Sequence, residues 1–292
     1  MQQAAVTIAP GEGPCELINS GTQLSVLPAA VPELLAALGD EEISFAELAR
    51  KIAEFPTVAA RLIFLANSSW AAPVEEITSL EMACAKLGLS LVKSVSISLA
   101  IAAPFDPGKC PAFRSDRFWS TALLVADTAA ALARHSDEFS VEDQGAVHTA
   151  ALLHNLGLLW LADNMPEPAN RAFETSNENP ELLLAELLQS HCGADHAQIG
   201  GCLAQAWAFP AFIESAMKHH LDDDYAGEHW EIALVTGSAA TMVHCLDHQL
   251  ERPSDDPRLE RLGIEPDWAD EVFQQLMQRH ERVREMVRVL FC

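Results

Sequence analysis

The residues best suited to chemistry in this sequence are its histidines. There are eleven, and several of them cluster. His154 precedes Asn155 in ALLHNLG, His191 and His196 flank a glycine in SHCGADHAQIGG, and His219 and His220 are adjacent just before Asp222, Asp223 and Asp224. A metal site needs three or four nitrogen or oxygen donors converging from different elements, and His154, His196, His219, His220 and Asp222 form such a candidate set if their segments meet in a helical bundle. The competing reading is structural. His154 and His196 lie amid apolar neighbours, where an imidazole donating to a backbone carbonyl is commoner than a ligand. The aspartate run reads as a solvated loop.

Other catalytic signatures are missing. The chain has no G-x-G-x-x-G, no P-loop and no G-x-S-x-G elbow. Gly200-Gly201 reads as a place where a neighbouring helix comes close, and Trp207, Phe209 and Pro210 as a helix end with a packed corner. Seven cysteines, at 15, 84, 110, 192, 202, 245 and 292, show no C-x-x-C pair and are read as scattered reduced thiols.

The elements that must position these residues are helical nearly throughout. Ser44 with Glu47, Thr78 with Glu81 and Ser140 with Asp143 fit the capping box, and Asn179 before Pro180 fits another helix start. Apolar residues recur at three and four: Phe45, Leu48, Ala49 and Ile52 share one face, and Val58, Leu62 and Leu65 another. Ser94–Ala100 alternates like a strand but continues a helical segment. About twelve helices are expected in an all-α fold. Prolines 104, 107 and 111 around Gly108 mark a hinge, and ERPSDDP at 251–257 marks a second break.

The 292 residues carry 18 Lys plus Arg against 42 Asp plus Glu, a net charge of −24, with 49% hydrophobic residues and a mean hydropathy of +0.09. A chain this apolar folds rather than staying disordered. Its acidity argues against partners held through phosphates, so neither nucleic acid nor an anionic membrane is expected. No secretory signal and no 20-residue apolar span is evident, which points to a cytoplasmic location.

Most of the acidity lies in 1–250, with 11 basic and 32 acidic residues, whereas 251–292 holds 7 and 10. The last segment reads as amphipathic helix. Phe273, Leu276, His280, Val283, Val287 and Leu290 line one side, and Arg279, Arg282, Arg284 and Arg288 the other. It either packs back on the body or serves as a docking or dimerisation helix.

ALLHNLG resembles the second-helix motif of the HD superfamily of metal-dependent phosphohydrolases, in which adjacent His and Asp both bind metal. LSVLPAAVPELLAAL (24–38), AEFPTVAARLIFLANSSW (53–70) and EMACAKLGLSLVKSVSIS (81–98) are similar to the three N-terminal signatures of the HDOD family, the HD-related output domains of bacterial signalling proteins. FWSTALLVADTAAALA, ALLHNLGLL and GADHAQIGGCLAQAWAFPAFIESAMKHH are similar to its C-terminal half, so the resemblance spans 24–245.

The resemblance implies a two-lobed helical fold, with an N-terminal lobe at 23–110 and a degenerate HD-like lobe at 111–250; the start, with Gly11, Gly13, Pro14 and Gly21, reads as a flexible segment at 1–22, and 251–292 as a helical extension. The resemblance also places Thr121 where the superfamily has its first metal-binding His, His154-Asn155 at the HD doublet, and Ala239 at the final Asp. Only His154 survives of the four ligands. A neutral amide is a weak ligand for a hard cation, and without carboxylates little lowers the pKa of a bound water. The expectation is therefore a non-catalytic regulatory protein working through protein–protein contacts in bacterial signal transduction, without metal or cofactor, with homodimerisation left open. The rival expectations are a phosphohydrolase with a rearranged His/Asp site and a nucleotide-sensing module.

Overall fold

The computed structural model describes residues 14–19, 43–103, 105–252 and 255–291, and every regular element among them is helical. In chain order the α-helices are α1 (Pro14–Asn19), α2 (Phe45–Ile52), α3 (Pro56–Asn67), α4 (Leu80–Leu87), α5 (Leu89–Ala102), α6 (Ser115–Ala133), α7 (Gln144–Leu153), α8 (Leu156–Asn164), α9 (Pro166–Glu178), α10 (Leu184–Cys192), α11 (His196–Ala206), α12 (Ala211–His219), α13 (Trp230–Asp247), α14 (Pro257–Arg261) and α15 (Pro266–Phe291). The strand-like Ser94–Ala100 lies wholly inside α5.

Local chemistry explains most helix starts. The Ser44 hydroxyl accepts from Glu47 N at 3.2 Å, and Pro56 occupies the first turn of α3, where its missing N–H leaves no bond unmade. Ser140 and Asp143 form the expected capping box, which opens a short 3₁₀ turn before α7. Two starts differ from the sequence reading. The cap of α4 is Ser79, accepting from Met82 N at 3.1 Å, one residue after Thr78. Asn179 ends α9 instead of opening a helix: its backbone N–H donates to Thr175 O, and α10 begins only at Leu184. Between α4 and α5, Gly88 takes φ +86° and the chain bends by 115°. That left-handed backbone is open to glycine at little cost.

The residues group into two compact units. The smaller takes Val26–Pro104, Asp116–Leu124 and Gln274–Cys292, and the larger takes Met1–Ser25, Phe105–Ser115 and Val125–Phe273. Helices α6 and α15 thus contribute to both, and the C-terminal segment belongs partly to each. In the smaller unit Leu48, Ile52, Leu62, Leu65 and Val95 are buried, while Phe45, on the expected apolar face of α2, is half exposed. Trp119 stacks on Phe291 with centroids 4.9 Å apart, and Arg282 lies 5.0 Å over the Trp70 ring, whose Nε1–H donates to Arg282 O.

In the larger unit the core is built on Leu152, Leu153 and Trp160 of α7 and α8 with Ile199, Leu203, Leu234 and Val235. The Gln144–Asn164 stretch is long and apolar enough to cross a membrane by composition, but about two-thirds of it is buried inside this unit. Its hydropathy is that of a core hairpin. Residues 14–19, read from sequence as part of a flexible lead-in, form α1, which packs on α11 with Leu17 and Ile18 buried. A disulfide joins Cys15 to Cys202, 187 residues apart. This corrects the expectation of reduced thiols only, and nothing in cysteine spacing reveals a pair brought together by helix packing. Cys84, Cys110, Cys192 and Cys245 are free and buried.

Candidate functional site

Three of the five candidate donors meet inside the larger unit. His154 caps the C-terminus of α7, His196 opens α11 and His220 caps the C-terminus of α12. The His154 and His220 rings are 5.0 Å apart and nearly perpendicular, and His196 lies 5.4 Å from His220. All three are buried, at 0%, 7% and 2% exposure.

Three glycines bring these helices together. A Cβ on Gly157 of α8 would sit 2.0 Å from His196 O, one on Gly237 of α13 would sit 2.3 Å from His220 O, and one on Gly200 would sit 2.9 Å from Met217 O. Gly200 and Gly237 are helix-interior glycines, each weakening the isolated helix by about 1 kcal/mol relative to alanine, and Gly157 stands in the first turn of α8. The gain is that backbone packs directly on backbone, so α8, α11, α12 and α13 lie close enough for the rings to touch. Gly200 fulfils the close-approach expectation against α12.

Hydrogen bonding fixes the proton positions. His154 Nδ1 faces Ala151 O at 2.6 Å and His220 Nδ1 faces Ala216 O at 2.9 Å, so in each ring Nδ1 carries the hydrogen and donates. That leaves Nε2 of both as lone pairs. Neither has a partner among the described residues, nor does Nδ1 of His196, nor the amide oxygen of Asn155. On α13 the hydroxyls of Thr236 and Ser238, either side of Gly237, are likewise buried without partners.

All three imidazoles are held neutral. Burial, reinforced by the nearby His220, pushes His154 well below the ordinary histidine range, and the same two causes bring His196 to about 3. Burial brings His220 to about 4; its bonds to the Ala216 and Met217 backbone oppose the shift, and the Arg258 guanidinium adds to it.

Arg258 is the residue that sequence reasoning missed. It lies on α14 and is buried, with Nε donating to Asp256 at 2.8 Å, Nη2 to Thr241 Oγ1 at 2.8 Å, and Nη1 3.2 Å from Asp223. A signal existed in Asp256-Pro257, a cap and first-turn pair that starts α14, but nothing local says where its arginine points.

The other candidates fall elsewhere. His219 turns away from the trio and stacks on Tyr225 at 3.8 Å. Asp222 is exposed and accepts from Asp224 N, as a solvated loop residue does. Ala239 is fully buried on α13, and Thr121 is half-buried in the part of α6 that belongs to the smaller unit. Of the interaction-helix candidates, Leu276, Val283 and Val287 are buried in the chain's own packing and Phe273 is half-buried, so the apolar side of α15 is already occupied. Arg279, Arg282 and Arg288 are exposed, while Arg284 is half-buried and pairs with Glu281.

The HD superfamily implies a divalent metal here, and the residues present do not fit one. Asn155, Thr121 and Ala239 supply no carboxylate or imidazole. Among the described residues no group of three or more His, Cys, Asp or Glu is placed to hold a metal ion. The buried Arg258 beside His220 also opposes a cation. What the trio can do is accept hydrogen bonds, through ring nitrogens buried among the helix ends.

Comparison with known proteins agrees with this architecture. The model of the HDOD domain family matches residues 24–222. A Geobacter sulfurreducens HDOD domain protein of unknown function superposes with a TM-score of 0.73 at 21% identity, covering 95% of this chain and 98% of that one. A Marinobacter aquaeolei VT8 protein, provisionally named a signal transduction protein, gives 0.78 at 21% identity over 90% of this chain and 59% of its own. A Shewanella amazonensis SB2B protein, provisionally named a phosphohydrolase, gives 0.69 at 22% identity over 96% and 99%. An uncharacterized protein of Treponema pallidum (strain Nichols) is 24% identical over 225 residues, 74% of this chain. The chain spans 41% of the length of that relative.

Proposed function

Because the chain belongs to the HDOD domain family, we propose that it is a non-catalytic regulatory protein that acts through protein–protein contacts in bacterial signal transduction. The observation that carries this reading is the state of the HD-type position. His154 is fully buried, its Nδ1 is committed to Ala151 O, and its neighbour is an amide in place of a carboxylate. No bound water is activated by such a set, because activation needs a cation held by anionic or imidazole ligands with one position open. The exposed polar side of α15, with Arg279 and Arg288, is the surface this reading assigns to an acidic partner.

Metal analysis of protein purified without added metal, together with hydrolysis of a generic phosphodiester, tests the reading. The expected result is substoichiometric metal and turnover no greater than buffer. Near-stoichiometric iron, manganese or zinc with turnover abolished by His154→Ala would overturn it in favour of a rearranged phosphohydrolase site. Calorimetric titration with a small nucleotide panel addresses the sensing alternative, for which flat traces are expected.

A further inference from the structure

The single disulfide among the described residues sits at an unusual place. Cys15 lies near the start of α1 and Cys202 in the last half of α11, and both are half-buried, within reach of a reagent in solution. Helix α1 is six residues long. A helix that short does not persist by itself, since nucleation is unfavourable and too few bonds follow to offset it. What holds it is the burial of Leu17 and Ile18 together with the bond to Cys202.

We propose that Cys15 and Cys202 form a thiol–disulfide exchange site, opened by a dithiol reductant, that fastens α1 to α11 or frees it. A thiolate of the dithiol attacks one sulfur and breaks the Cys15–Cys202 bond. The mixed disulfide so formed is resolved by the second thiol, giving two cysteine thiols and one oxidised dithiol, with two electrons and two protons transferred. The exchange is selective because the other described cysteines are unsuited to it. Cys84, Cys110, Cys192 and Cys245 are buried, and burial pushes each thiol up, Cys84 to about 11 and Cys192 to about 12, so thiolate is scarce.

Helix α11 also carries His196 and the Gly200 contact with α12, so the clasp bears on the helix that supplies one wall of the histidine cluster. The inference does not depend on the proposed signalling role, since it rests on the placement of two sulfurs and a short helix.

The test starts from full-length protein equilibrated with oxidised dithiothreitol, then treated with reduced dithiothreitol, acid-quenched and labelled with an alkylating reagent for peptide mass spectrometry. Cys15 and Cys202 are expected to be blocked before reduction and labelled together after it, with Cys292 followed on its own peptide. In parallel, amide hydrogen exchange over 14–19 is expected to accelerate at least about tenfold on reduction, while 230–247 stays unchanged. Cys202→Ser should reproduce the fast exchange without reductant, and Cys15→Ser serves the same purpose should the first variant fail to fold. Labelling of both cysteines in the oxidised protein, or reduction that leaves exchange over 14–19 unaltered, overturns the proposal.

Discussion

Acidifying the protein from pH 7.5 to 5.5 is expected to remove about 4 kcal/mol of stability through His154, His196 and His220 alone. In the unfolded chain each imidazole takes up its proton near pH 6.5. In the folded chain His196 is held at about 3, His220 at about 4 and His154 well below the ordinary value. Below 6.5 the unfolded state therefore binds protons that the folded state refuses. Stability from these groups is fully present above the unfolded value and is lost as the pH falls below it. One pH unit under that value, the deficit is a little over about 1 kcal/mol per histidine, and the three together give the stated figure. Set against a usual total of about 5–15 kcal/mol, that is a large fraction. Urea unfolding followed by circular dichroism at both pH values measures it. His196→Gln isolates one share, because all other titrating groups are common to both proteins: the variant should lose a little over about 1 kcal/mol less on acidification than the parent. Identical pH dependence in parent and variant, or an imidazolium signal assigned to His154, His196 or His220 in the folded protein at pH 5.5 by NMR, would refute the reasoning.

Three further outcomes follow from the same geometry. Gly157→Ala should destabilise by about 3 kcal/mol in urea unfolding, the upper end of the usual overpacking cost, since its Cβ would fall 2.0 Å from His196 O, a backbone atom that cannot swing aside. Arg258→Ala, which strands the buried Asp256 carboxylate, should cost about 3–5 kcal/mol, and the Arg258→Ala/Asp256→Asn double variant should recover part of it in a double-mutant cycle. Asn155→Asp restores the HD doublet yet should acquire no metal by elemental analysis, because Thr121 and Ala239 still supply no ligands; it should also lower stability by about 1–3 kcal/mol as a carboxylate oxygen replaces a buried amide oxygen without a partner.

What the sequence could disclose of this fold was what is local. Ser44 and the 3–4 spacing of Val58, Leu62 and Leu65 act within one or two turns, and the structure uses them as read. Asn179 failed as a start because an asparagine serves a helix end as readily as a beginning, and Thr78 because a serine one residue on competes for the same cap. The adjacent His219 and His220 posed a choice that spacing alone answers: Ile213, Ala216 and Met217 are buried, and His220 continues that stripe at three and four while His219 lies about 100° away. The disulfide and the Arg258 network were beyond reach, since both join residues through packing of distant helices. The apolar stripe of α15 was legible, but not that the chain's own body occupies it.

The Gly237 contact also bears on where a working fragment can be cut. The family match ends at residue 222, whereas the surface that closes over His220 is Gly237 on α13, and the guanidinium beside it comes from residue 258. A fragment trimmed to the matched span would remove α13, one of the helices that α12 packs on, and expose the C-terminal end of α12. Expression and crystallisation fragments of this protein should therefore take in α13, α14 and the whole of α15, which contributes to both units. Part of what encloses the histidine cluster thus lies beyond the recognisable span.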